Sequence, residues 1–267
     1  MSKRNLSGYL AVILLVVIYC LPASGQKVLA TIVKNGELRV GTSGNQPPYS
    51  MKSKAGELMG FEIDLANALA THMGVKLKLV EIPFPDLMDA LKTNKIDAIM
   101  SGMTITPERN LVALFAGPYT ISGKAILTKS AKVAAFNVDT STMKKYRIVC
   151  LKGSTSEQFV RTMMSKQVVV PVNDYDEGVN MVISDQADAM VADKPICVIS
   201  IMRYPGKDLV TTEQPLTVEP IGVALPAGDP QFLNLVSNYI STLQISGTLT
   251  GLEQKWFKDG SWMLSVK

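Results

Sequence analysis

Apolar residues follow two alternating rhythms along this chain. Short apolar runs bounded by Gly, Pro or polar residues predict strands, and apolar residues spaced by four predict helices. Residues 37–40 form a short strand that ends at Gly41, and the Gly- and Pro-rich loop GTSGNQPPYS follows. Phe61, Leu65, Leu69 and Met73 recur every four residues, and Gly74 stops that amphipathic helix. Residues 75–82 read as a strand, 86–92 as a short helix and 96–100 as a buried strand. This order of elements is the grammar of a parallel α/β sheet.

The same grammar then recurs. Arg147–Leu151 is a strand ending in KGSTS, 157–165 a helix, Val168–Val172 a strand, 177–184 a helix and 187–191 a strand that ends at Asp193. The phrases KIDAIMSGMT (95–104) and QADAMVADKP (186–195) hold corresponding places in the two halves. Two similar α/β lobes are therefore expected. The C-terminal part opens with a strand at 221–225, then Asp229 as N-cap and Pro230 in the first helical turn. Phe232, Leu235, Val236, Tyr239, Ile240 and Leu243 form one apolar stripe ending near Gly247. A last short helix carries Leu252, Trp256 and Phe257, read as core anchors.

Residues 1–25 break this pattern. Lys3 and Arg4 precede an apolar run of 13 residues (9–21), and Pro22, Ala23, Ser24 and Gly25 follow. This is the layout of a cleavable signal peptide. Its apolar run makes about 20 Å of helix, short of a hydrocarbon core of about 30 Å. Cys20 follows the bulky Tyr19, which argues against lipidation. Of the 267 residues, 27 are Lys or Arg and 23 Asp or Glu, a net charge of +4. Cleavage before Gln26 removes two basic residues and leaves a net of +2. No basic cluster interleaved with aromatics is present, so nucleic acid is not an expected partner. Cys150 and Cys197 stay in the mature chain, either as a bridge or as two buried thiols.

Candidate chemistry points to binding rather than catalysis. The single histidine, His72, ends a helix beside Gly74 and has no nucleophile to serve. The sequence holds no GxSxG, HExxH, CxxC or GxGxxG; one histidine is too few for a His-rich metal site, and three cysteines are too few for a disulfide-built scaffold. GPYTISGKA (117–125) is only superficially like a phosphate loop, since Ala125 stands where a hydroxyl should hold metal. No cofactor and no metal are expected. In α/β sheets, ligands sit beyond the carboxyl ends of the strands. Here those ends are GTSGNQPPY, SGMTITPER, KGSTS and VAD. Arg109 can grip a carboxylate with two parallel hydrogen bonds, and Asp193 can accept from an ammonium group. Together they describe a receptor for a zwitterion, an α-amino acid.

In that order, GELRVGTSGNQPPYS, GFEIDLANALA, KIDAIMSGMTITPER, KGSTSEQF, ADAMVADKP, EPIGVALPAGDP and SGTLTGLEQKWF cover residues 36–257. They resemble the amino-acid-binding family of bacterial periplasmic solute-binding proteins, the receptors of ABC importers. The resemblance implies a type II periplasmic-binding-protein fold: two α/β lobes, 27–119 plus 223–267 and 120–222, joined by two crossover strands and closing on a cleft. Carried over motif by motif, it puts Arg109 on the ligand carboxylate. Gly102 would add its amide there, with Ser101 and Thr104 as further partners. Thr155 would join from the second lobe, Asp193 would take the ammonium, and Phe84 would pack against the ligand.

Ser43 stands where relatives specific for basic amino acids tend to carry Asp, and Gln46 stands where a stacking aromatic is common, with Tyr49 after the two prolines. A neutral or polar amino acid is thus expected. The implied setting is a monomer in the periplasm that hands its ligand to a membrane permease. The first-lobe motifs also resemble cyclohexadienyl dehydratases, but the acid expected three residues after Asp193 is Ile196. A dehydratase-like enzyme is the alternative reading, and a ligand-sensing domain is a third.

Overall fold

The structure is a computed structural model that describes residues 28–133 and 145–266. The expected signal segment, 1–25, lies outside the described residues. The first half builds α1 (Val28–Asn35), β1 (Glu37–Thr42), a small hairpin of β2 (Met51–Lys52) and β3 (Leu58–Met59), and α2 (Phe61–His72). Next come β4 (Lys76–Glu81), α3 (Leu87–Lys92), β5 (Ala98–Ile99), α4 (Pro107–Asn110), β6 (Ala113–Ser122) and β7 (Lys124–Lys129). The second half adds β8 (Arg147–Leu151), α5 (Thr155–Met163), β9 (Val168–Val172), α6 (Tyr175–Ile183) and β10 (Ala189–Asp193). It ends with α7 (Lys194–Arg203), β11 (Leu209–Thr211), β12 (Glu219–Pro226), α8 (Pro230–Ile245) and α9 (Thr248–Glu253).

Two five-stranded sheets result, ordered β4-β1-β5-β12-β6 and β11-β7-β10-β8-β9. In each, three strands run parallel: β1 with β4 and β5, and β8 with β9 and β10. An antiparallel strand then flanks the third, β12 beside β5 and β7 beside β10. The phrases KIDAIMSGMT and QADAMVADKP thus end in equivalent strands, β5 and β10. Both are completely buried, which explains apolar runs without alternation.

β6 and β12 form a long antiparallel pair, in register from Glu219 opposite Ser122 to Pro226 opposite Ala113. The register shifts at Gly222, where an added Cβ would lie 2.8 Å from the Ala116 carbonyl oxygen. A side chain there would force apart the two strands that lead toward the second sheet. Just beyond, β7 begins at Lys124 and pairs antiparallel with β10, placing Lys124 directly opposite Asp193.

The apolar stripe of α8 behaves as its spacing predicts: Phe232, Val236, Tyr239, Ile240 and Leu243 are buried. Each such side chain contributes about 1.5–3 kcal/mol through burial. Asp229 caps α8 by accepting from the Phe232 amide at 3.1 Å, and its other oxygen accepts from the Leu29 amide at 2.9 Å. One carboxylate therefore ties α1 to α8. The expected core anchors hold: Trp256 is buried, and the Phe257 ring packs edge-on against Tyr49 and Phe61. Sequence periodicity missed α1 and α7. α1 spans only two turns, and KPICVISIMR is apolar on too many faces to show a period. Cys150 and Cys197 are both buried and unbridged, and burial pushes each thiol up to about 12.

Candidate functional site

The ends of β5 and β10, the start of α5 and the short α4 converge between the two sheets. Thr106 opens α4 by accepting from the Arg109 amide at 3.2 Å, so Arg109 projects from a one-turn helix fixed at its start. Its guanidinium donates through Nη1 to the Thr104 carbonyl at 2.8 Å and lies 5.8 Å from the centre of the Phe84 ring. Burial pulls its pKa down, while Glu219 and Asp193 pull it back up, so both carboxylates lie within electrostatic reach. Arg109 forms no ion pair among the described residues, leaving the rest of its fork for an external acceptor.

Asp193 comes from the other sheet. It sits at the N-cap position of α7, yet its carboxylate caps nothing there. Oδ1 instead accepts from Lys124 Nζ at 2.6 Å, and Glu219 Oε2 lies 3.6 Å from the same ammonium. Lys124 is 1% exposed and Asp193 4%. Cross-strand neighbours in an antiparallel ladder have side chains within reach, which accounts for the pair. The Thr217 hydroxyl accepts from the Lys124 amide at 3.0 Å and donates to Glu219 at 3.1 Å, locking the cluster.

The remaining expected residues fall in three groups. Thr104 and Thr155 meet across the cleft with hydroxyls 3.4 Å apart, and Phe84 is buried beneath Arg109. Ser101 and Gln46 bind each other: Ser101 Oγ donates to Gln46 Oε1 at 2.7 Å, as does Ser43 Oγ at 3.1 Å. The buried Tyr175, at the start of α6, lies near Gln46 and within electrostatic reach of Asp193.

Tyr49 and Gly102 differ from expectation. The Tyr49 ring is core, 5.3 Å from Phe257, and only its hydroxyl, near Ser122 and Asp193, lies toward the cleft. The Gly102 amide is not offered to a ligand. Gly102 has a left-handed φ of 57°, which turns its N–H onto Glu62 Oε1 at 2.7 Å. Tyr119 also donates to that oxygen, and burial raises the Glu62 carboxyl to about 7.

Lys124, Glu219, Glu62 and Tyr119 escaped sequence reasoning. The available signal was charge in the wrong place: a lysine opening the apolar run AILT, and a glutamate inside GFEIDLANALA. Among the described residues no cluster suits a metal ion, and no helix is long and apolar enough to cross a membrane. Ile196, where the dehydratase resemblance expects an acid, is completely buried.

A cleft between two sheets, each with a parallel βαβ half and an antiparallel flank, is the type II periplasmic-binding-protein fold. The profile of the bacterial extracellular solute-binding proteins, family 3, matches residues 38–259, and the chain belongs to that family. The chain is 27% identical to the L-cystine-binding protein TcyJ of Escherichia coli (strain K12), over 96% of each chain. It is 28% identical to a cyclohexadienyl dehydratase of Pseudomonas aeruginosa, again over 96% of each. Among solved structures it is similar to a putative ABC-transporter binding component of Wolinella succinogenes complexed with lysine. That likeness has a TM-score of 0.81 and 34% identity, covering 86% of this chain and 99% of the other.

Proposed function

We propose that this protein is an extracytoplasmic receptor that captures a neutral or polar α-amino acid between its lobes and delivers it to a membrane ABC permease. The observation that carries the reading is that Arg109, beyond β5, and the buried Asp193, at the end of β10, lie within electrostatic reach where Thr104 and Thr155 approach to 3.4 Å. Arg109 suits the ligand carboxylate and Asp193 Oδ2 the ammonium, each charge-assisted bond contributing about 1.5–3 kcal/mol. Thr104 and Thr155 add hydroxyls from either side. Lobes 27–119 plus 223–267 and 120–222 would hinge on β6 and β12, so a ligand gripped at both ends would favour the closed state. Ser43, bonded to Gln46 and Ser101, offers no carboxylate to a basic side chain. Residues 1–25 supply the export signal in this account.

The dehydratase relative supports a second reading, catalysis on the same fold. A thermal-shift screen of the twenty amino acids on protein stripped by unfolding and refolding separates the two. At least one neutral amino acid should raise the melting temperature by several degrees. Turnover of prephenate or arogenate, without any amino-acid shift, would contradict the receptor.

A further inference from the structure

Four charged side chains cluster about Asp193, apart from Glu62, which Gly102 and Tyr119 hold and whose buried carboxyl is raised to about 7: Arg109 and Lys124 on one side of the balance, Asp193 and Glu219 on the other. Their sum is zero. Lys124 is held between the two carboxylates from a strand directly opposite Asp193, and its side chain is 2% exposed, so it stays in the site when a ligand enters. A zwitterion leaves the sum at zero, with its carboxylate on Arg109 and its ammonium on Asp193 Oδ2, which accepts no hydrogen bond among the described residues. A second cation on the ligand would enter a cleft whose carboxylates are already matched, and buried charge without a counter-charge is costly. A second anion meets the mirror-image problem.

We propose that Lys124 is the specificity-determining residue of this site. It is a built-in cation that neutralises one of two carboxylates and so confines the ligand to α-amino acids with uncharged side chains. The inference rests on the amino-acid reading and adds the charge class. Lys124 acts here on the ligand's charge through Asp193 and Glu219 rather than by touching its side chain. Its counterpart, Glu219, sets the opposite limit.

Calorimetry with glutamine, arginine, lysine and glutamate on refolded protein tests this. Lys124→Gln leaves a net negative cleft and should improve binding of arginine or lysine relative to glutamine by about tenfold or more. Glu219→Gln keeps the Lys124–Asp193 pair and should improve glutamate relative to glutamine by a similar factor. The double variant returns the sum to zero and should recover the wild-type ranking, which a merely structural lysine would not produce. Unchanged ratios in both single variants would overturn the proposal, as would wild-type protein that binds arginine as tightly as its best neutral ligand. That second result leaves the amino-acid reading standing. Wild-type protein that binds no amino acid at all overturns both. If Lys124→Gln does not fold, Glu219→Gln and the wild-type ranking still decide.

Discussion

Glu62 is the residue whose chemistry departs furthest from its type. It lies wholly buried in α2, where it accepts from Gly102 and Tyr119 through Oε1 while Oε2 has no partner among the described residues. Burial is the larger effect and lifts its carboxyl from 4.5 to about 7; the two hydrogen bonds oppose it. The unfolded chain ionises this group near 4.5, the folded protein only near 7. Its contribution is therefore most favourable below pH 4.5 and is lost as pH rises through 7, a change of about 3 kcal/mol. Melting temperatures from pH 4.5 to 8 should fall less steeply for Glu62→Gln than for wild type; parallel profiles would contradict this. The signal in GFEIDLANALA is that the neighbours of Glu62 at helical spacing, Leu65, Ala66, Leu69 and Ala70, are all apolar and place the carboxylate on the buried face. Arg109 and Asp193 were legible for a different reason: each follows a strong apolar strand, where α/β sheets place their ligands.

At the scale of elements, strands and caps were easier to read than helices. β8, β9 and the α8 cap follow from apolar runs and from Asp229-Pro230. Pairing was not legible, and pairing is what brings Lys124 opposite Asp193. Register depends on which strand lies beside which, and neither local propensity nor period contains that information. α5 shows how an element serves the site. Ser154 accepts from the Glu157 amide at 3.2 Å and donates to the Leu151 carbonyl at 2.6 Å, while Glu157 reaches back to the Gly153 amide at 2.8 Å. This near-reciprocal cap fixes Thr155 at the first helical position, facing Thr104. Ser154→Ala should cost about 1 kcal/mol in urea unfolding and weaken ligand binding as well. Lost stability with unchanged binding would detach the cap from the site.

For the molecule as a whole, two sheets of matching construction are linked through an antiparallel pair bulged at Gly222, and the candidate site residues lie beyond the ends of the central strands β5 and β10. In the function proposed above neither half suffices, because Arg109 is assigned one end of the zwitterion and Asp193 the other. Duplicated strand order was visible in the phrases ending β5 and β10, so the two-lobed plan could be anticipated. The charge cluster could not, since it needs β7 paired with β10 in one sheet and Glu219, at the start of β12 in the other, brought to 3.6 Å from Lys124. Calorimetry on refolded wild type, Arg109→Ala and Asp193→Ala, titrated with the best neutral amino acid, tests the central claim most directly. Wild type should bind with a Kd of about 1 μM or tighter, and each variant should lose about a hundredfold or more. Binding by both variants as tight as wild type would contradict the account.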